Sequence, residues 1–279
     1  MKREVVIVTG AARGIGRTIA EAFVADSAVV VALDVESAEL AALGNDLESA
    51  GAGMAVVCDV RDSARVRNVV DEVVARFARI DVLVNNAGIN AVGAVDELDE
   101  DLWDRCFDVN VGGVFRVTKA VIPVMKRQES GRIINAASFA AIVPSVGQSA
   151  YAATKAAVVQ FTRTVAGELG PWGITANSYA PGMIPTSING FSDLPQPEQD
   201  ELLNTLTLRR WGQAEEVAEV VRFLASDAAR YITGALIDVS GGKLATQIPQ
   251  RAYDRRAAGD AVRERDTPQH GTARTTPRA

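Results

Sequence analysis

The sequence predicts a doubly wound α/β fold in which seven parallel strands form one sheet with helices on both faces. Three observations lead there. Short runs of consecutive apolar residues alternate along the chain with longer stretches whose apolar positions recur at helical spacing. A glycine-rich turn, "VTGAARGIGR", links the first such run to the first helical stretch. No change of composition, flexible linker or internal repeat divides residues 1–245. Strands apolar on both sides belong in a parallel sheet covered on both faces, and right-handed crossovers wind that sheet outwards in two directions.

The strand runs, in order, are 5–8, 29–33, 54–57, 80–84, 132–136, 174–178 and 236–239. Between them lie amphipathic stretches at 16–25, 38–50, 64–78, 101–125, 150–169 and 214–225, each long enough for a helix that returns the chain to the same sheet edge. The rhythm breaks at 187–212 and again after residue 247. From Arg251 onward seven arginines face four acidic residues, with few apolar side chains and much Ala, Thr and Pro, so residues 248–279 are expected to be a disordered tail beyond a single domain at 1–247.

Composition narrows the classes of function. A formal charge of −6 gives no broad electrostatic reason to bind nucleic acid or an anionic membrane. Cys58 and Cys106 lie far apart with no paired spacing, so neither a disulfide framework nor a zinc site is indicated, and no group of residues forms a metal-ligand pattern. The opening apolar run is too short for a signal peptide and no stretch is long enough to span a membrane, which makes the cytoplasm the expected location. The only histidine, His270, falls in the expected tail. Proton transfer at neutral pH therefore needs another side chain.

In the first turn Gly10, Gly14 and Gly16 stand where the chain must bend sharply and let backbone amides approach an anion at a helix N-terminus. A mononucleotide P-loop would continue with Gly-Lys-Ser/Thr, whereas Gly16 is followed by Arg17 and Thr18, so the turn reads as a dinucleotide site. Asp34 stands directly after the second strand run, eighteen residues beyond Gly16, where a carboxylate can accept from the adenosine ribose hydroxyls and repel a 2′-phosphate. That favours NAD over NADP. Arg13, a guanidinium inside the loop, pulls the other way.

Tyr151 and Lys155 are four residues apart on a helical stretch and so project from one face. A phenol is a poor base near neutrality, and a neighbouring ammonium is expected to lower its pKa towards a useful range. Ser138 follows the fifth strand run, at the carboxyl edge where open α/β sheets gather their ligands.

These motifs together resemble the short-chain dehydrogenase/reductase family, a group of single-domain Rossmann-type oxidoreductases. The similarity covers residues 3–245 and rests on "TGAARGIG" from Thr9, "NNAG" from Asn85, Asn110 in "DVNVGG", Ser138, "YAATK" from Tyr151 and "PGMIPT" from Pro181. The resemblance implies that Tyr151 is the general acid/base, Ser138 holds the substrate oxygen, Lys155 tunes Tyr151 and binds the nicotinamide ribose, and Asn110 holds a water beside Lys155. For the cofactor it implies Gly10, Arg13, Gly14, Ile15 and Gly16 at the phosphates, Asp34 at the ribose, and Asp59 with Val60 at the adenine. Asn86 and Gly88 are then expected on the adenosine side, with Pro181, Gly182, Ile184 and Thr186 around the nicotinamide, while Asn85 supports the sheet.

Two departures are visible: Ser240 stands where the family often has Asp before Gly241 and Gly242, and Ala214 replaces a frequent Pro. The segment 187–212 resembles the family's substrate lid, with Phe139, Ile142, Val143, Phe191, Leu194 and Leu206 as candidate pocket walls.

The implied function is NAD-dependent hydride transfer between nicotinamide and a small-molecule secondary alcohol or ketone. An NADPH-dependent 3-oxoacyl reductase is the alternative, favoured by Arg13 and opposed by Asp34. A non-catalytic dinucleotide sensor is a third reading, opposed by the presence of Asn110, Ser138, Tyr151 and Lys155 together. The family also implies a homotetramer or homodimer joined through the helices at 111–125 and 156–169, with a second contact at 231–244.

Overall fold

The computed structural model describes residues 3–35, 37–186 and 190–266. All seven expected strands form: β1 (Val5–Thr9), β2 (Val29–Asp34), β3 (Gly53–Val57), β4 (Val82–Asn85), β5 (Gly131–Ala136), β6 (Ile174–Pro181) and β7 (Leu236–Val239). They pair in the order β3-β2-β1-β4-β5-β6-β7, every neighbour parallel. Ile7 in the central strand is flanked by Val31 and Leu83, so three branched side chains stack on the same face of the sheet.

The helices are α1 (Gly14–Ala25), α2 (Ser37–Ser49), α3 (Ser63–Phe77), α4 (Glu100–Phe107), α5 (Val114–Gln128), α6 (Ser149–Leu169), α7 (Gln196–Leu203), α8 (Ala214–Ala225) and α9 (Gln250–Asp266). Alternation along β1 divides the core. Val6 and Val8 join Ile19 and Phe23 of α1 and Val217 and Val221 of α8, while Val5 and Ile7 join Val69 and Val73 of α3 and Val117 and Val121 of α5. Because both faces are buried, every β1 residue is apolar except the last, Thr9, whose hydroxyl accepts from Asn86 N (3.0 Å) and Ala87 N (3.1 Å). The polar end of the strand thus fixes the loop leaving β4.

Helix starts follow from local chemistry. Asp62 accepts from Ala64 N and Arg65 N at the head of α3, and Asp99 accepts from Leu102 N at the head of α4. At α8, where the family often places proline, Gln213 and Glu216 form a reciprocal capping box. Ser240 likewise has a local task, accepting from Lys243 N at 3.1 Å.

Three expectations are corrected here. The stretch 101–125 is not one helix: between α4 and α5, residues Asp108–Gly113 wind as a π-helical turn. A wider turn lets the Asn110 side chain reach inwards to the loop after β4 rather than follow the straight helix face. The lid segment contains α7, which was not expected. Residues 250–266, expected to be disordered, form α9; its first turns are held by Tyr253, whose hydroxyl donates to Thr207 O at 2.8 Å, with Arg209 over the Tyr253 ring. Ala and Arg are good helix formers, so a modest tertiary anchor is enough to favour the helix. Residues 187–189 of the lid and 267–279 of the tail, including His270, lie outside the described residues.

Candidate active site

The sheet order reverses between β1 and β4, and the loops leaving their carboxyl ends part to open a cleft. Every sequence-predicted site residue except Asn110 lines it. At one end is the glycine loop. Gly10 (φ +66°) and Gly14 (φ +56°) use left-handed backbone, and a Cβ on Gly16 would fall 1.9 Å from Gly10 O. The first turn of α1 has neither a side-chain cap nor an acidic residue. A cradle that excludes even a methyl group and presents helix N–H groups fits a pyrophosphate.

Asp34 sits beside this loop. Its carboxylate accepts from Ala12 N (3.0 Å) and Val35 N (2.7 Å), which fixes its orientation at the end of β2. Asp59 is engaged with Arg61 (2.7 Å), and that hydrogen-bonded guanidinium holds its carboxyl below the usual range. Val60 is buried against Gly113 of the π-helical turn. Asn86 braces the loop from behind: its amide donates to Thr9 O (3.2 Å) and Gly10 O (3.1 Å) and accepts from the Tyr179 hydroxyl (3.1 Å).

Gly88 stands elsewhere than expected. A Cβ there would lie 3.2 Å from Asn110 Oδ1 and 3.4 Å from Lys155 Nζ, so this glycine belongs to the Tyr151 end of the cleft. Asn110 is fully buried behind the wall; Oδ1 accepts from Ile89 N (2.8 Å), and Nδ2 donates to Ile89 O (3.0 Å) and Thr154 Oγ1 (3.0 Å). Thr154 Oγ1 donates in turn to Tyr151 O (2.7 Å), linking the π-helical turn to α6.

Tyr151 and Lys155 project from α6 towards Ser138, which lies just past β5 and caps a short turn by accepting from Ala140 N (3.1 Å). Lys155 Nζ donates to Ala136 O (2.8 Å) and lies 5.6 Å from the Tyr151 ring centroid. Burial lowers Lys155 to about 8. The expected depression of the Tyr151 pKa is corrected: burial pushes the phenol above its usual range, opposed by hydrogen bonding to Ser138. Both groups are deeper than the sequence could indicate, and loss of water disfavours their charged forms.

On the opposite wall, Gly182 N donates to Val239 O (3.1 Å), extending the pairing with β7, and Ile184 N donates to Gly182 O (3.1 Å), so Gly182, Met183 and Ile184 make a tight turn off β6. Thr186 Cγ2 would be 3.7 Å from a Cβ on Gly14, which brings the two walls close together. Above, Phe191 stacks on Trp211 with centroids 5.6 Å apart. Of the expected pocket walls, Phe139 and Leu206 are buried, whereas Ile142 and Val143 are exposed. Arg61, Arg105 and Tyr179 also line the cleft and were missed. Tyr179 is hidden from sequence reasoning by its place inside a strand that is buried along nearly its whole length.

A family model described as enoyl-(acyl carrier protein) reductase matches residues 10–243. Among curated proteins, the 3-oxoacyl-[acyl-carrier-protein] reductase of Thermotoga maritima is 40% identical over 243 residues, covering 87% of this chain and 98% of that protein. The chain belongs to the short-chain dehydrogenase/reductase family. Another member, the 3-oxoacyl-[acyl-carrier-protein] reductase of Staphylococcus epidermidis strain RP62A, is 41% identical over 241 residues, which are 85% of this chain and 97% of that one. Among solved short-chain dehydrogenase/reductase structures, levodione reductase is similar at TM-score 0.82 and 36% identity, over 87% of this chain and 98% of that one. NAD+-bound xylitol dehydrogenase is similar at 0.81 and 30%, over 86% and 98%. The short-chain dehydrogenases/reductases are oxidoreductases that use nicotinamide dinucleotides, and the cradle described above suits such a cofactor. Among the described residues no helix is long and apolar enough to cross a membrane.

Proposed function

We propose that the chain reduces a 3-oxoacyl compound to its 3-hydroxy form with NADH, and runs the reverse reaction with NAD+. The observation that carries the chemistry is the convergence of Ser138, Tyr151 and Lys155 at one end of a cleft whose other end is the glycine loop. The names of the curated relatives favour this substrate, the alternative at the level of sequence, over an unspecified secondary alcohol. Levodione reductase and xylitol dehydrogenase keep other ketones and polyols as a second reading. For the cofactor, Asp34 supports NAD(H) and Arg13 is the counter-argument.

Bound nicotinamide supplies or accepts the hydride at the substrate carbon. The protein handles the proton and the oxygen. Ser138 donates a hydrogen bond to the carbonyl oxygen and stabilises the charge that grows there. Tyr151 delivers the phenolic proton to that oxygen in reduction and withdraws it in oxidation. Burial raises Tyr151, so at neutral pH the phenol carries the proton that reduction requires it to deliver. Lys155 offsets the tyrosinate left behind. One of its three N–H groups is used on Ala136 O, which leaves two to meet a ribose hydroxyl and the water that the family resemblance expects beside Asn110.

Initial rates with NADH and with NADPH, on a 3-oxoacyl thioester, a cyclic diketone and a ketose, test the proposal. NADH-linked reduction of the thioester is expected. Failure to reduce any ketone would overturn the reaction; strong NADPH preference would overturn the cofactor assignment.

Cytoplasmic residence accords with two free, buried cysteines. On α5, Phe115 is 48% exposed and meets Phe161 of α6 edge-on at 6.4 Å, an apolar face that supports a homodimer or homotetramer and is testable by light scattering.

A further inference from the structure

Lys243 follows the turn made by Ser240, Gly241 and Gly242 after β7, and four contacts set it just outside the residues that line the cleft, behind its Ser138 end. Its backbone N donates to Ser240 Oγ at 3.1 Å. Ser240 itself backs the cleft wall, since a Cβ on Gly182 would fall 2.6 Å from Ser240 Cα. Lys243 forms an isolated antiparallel bridge with Leu206 at the end of the lid. Its Nζ stands 5.5 Å from the centroid of the Phe139 ring, the residue next to Ser138.

The ammonium is half-buried and forms no ion pair among the described residues. Burial alone lowers its pKa, with no acidic neighbour to raise it. A cation held over a ring and away from any carboxylate gives up hydration for a modest attraction, so it is set to gain from an incoming anion. The other basic residues at this end are engaged: Arg209 lies over the Tyr253 ring, and Arg210 pairs with both oxygens of Glu216.

We infer that Lys243 is a specificity-determining residue that binds a carboxylate on the substrate, making a ketone or secondary alcohol with a free acid group the preferred class. A single ammonium matches a monoanion. A phosphate dianion is matched better where several donors converge, and the two candidate arginines are occupied. The inference rests on the reductase reading above and deepens it: among 3-oxoacyl compounds the free acid would be turned over in preference to the thioester.

The test uses the full chain with NAD+ and a chain-length series of 3-hydroxy acids, their methyl esters and their coenzyme A thioesters. For a given chain length, kcat/KM for the acid should exceed that for the ester by about tenfold or more, the scale of one charge-assisted hydrogen bond. That ratio should collapse towards one in Lys243→Met and Lys243→Gln and recover in Lys243→Arg. Absence of acid preference in the unaltered protein, or its survival in both neutral variants, overturns the inference. So does a thioester preference that disappears with the lysine, which would assign the cation to the pantetheine phosphate. Binding supplies an independent readout: with NADH present, a saturated carboxylic acid should raise the melting temperature more than its amide, and Lys243→Met should abolish the difference. An acid no better than its amide sinks the subsite even if turnover is seen; no turnover of any alcohol, with acid-selective binding intact, sinks only the reductase reading.

Discussion

Replacing Asp34 with Ser probes the cofactor assignment, because the proposed choice of NADH over NADPH rests on this carboxylate. It is oriented by Ala12 N at 3.0 Å and Val35 N at 2.7 Å, at the end of the strand neighbouring the glycine loop. A net hydrogen bond to an ionised group contributes about 1.5–3 kcal/mol, so losing its contact with the ribose should lower kcat/KM for NADH about 10- to 150-fold. Removing the negative charge also removes repulsion of a 2′-phosphate, a term of about 4 kcal/mol for unit charges 4 Å apart near a protein surface before screening by salt. The NADH/NADPH ratio should therefore shift by about a thousandfold, and adding Arg13→Ala to the Ser variant should withdraw much of the gain for NADPH. Initial rates from the absorbance of reduced nicotinamide give both constants. Thermal melting without cofactor monitors the lost Ala12 bond. A change in NADH efficiency of less than about threefold, with folding intact, would refute the reasoning.

Gly16→Ala should abolish dinucleotide binding by calorimetry, since its Cβ would lie 1.9 Å from Gly10 O; unchanged affinity would contradict the cradle. Asn110→Ala strips Ile89 N and O of their side-chain partner and should lower unfolding free energy by about 2–4 kcal/mol, read by denaturant titration. Lys155 is lowered from 10.5 to about 8, so between these values the unfolded chain binds the extra proton and the penalty of burying the ammonium is relieved as pH rises. Relative to Lys155→Met, the unaltered protein should gain about 3 kcal/mol of stability across that window. A pH-independent difference would show that the lysine is not desolvated.

Strands and the first turn were legible because their signals are local: four consecutive apolar residues, Val5 to Val8, need burial on both sides, and Gly10 with Gly16 mark a bend no other residue fits. That Ser138, Tyr151 and Lys155 share one end of the cleft, with Asn110 behind them, was legible through spacing and resemblance. What escaped depended on three-dimensional neighbours. Periodicity could not reveal the π-helical turn at Asn110, since the apolar pattern runs on through it while the bonds it makes possible go to Ile89, distant in sequence. The anchoring of α9 by Tyr253 on Thr207 is a tertiary contact between segments with little apolar content. Gly88 was placed by motif at the adenosine side, yet the loop after β4 carries it to Lys155. The direction of the Tyr151 shift reversed because charge proximity is readable from an i, i+4 spacing, whereas depth of burial is not.

The most direct test of the central claim, that the Tyr151 phenol exchanges the substrate proton, is the single-turnover rate of Tyr151→Phe at saturating NADH and ketone. The ring and its packing remain, and only the hydroxyl is lost. General acid catalysis of this kind is worth about a hundred- to ten-thousandfold, so the rate should fall by that factor while the affinity for NADH, measured by fluorescence, holds within about threefold. A rate within about threefold of the unaltered protein would contradict the mechanism.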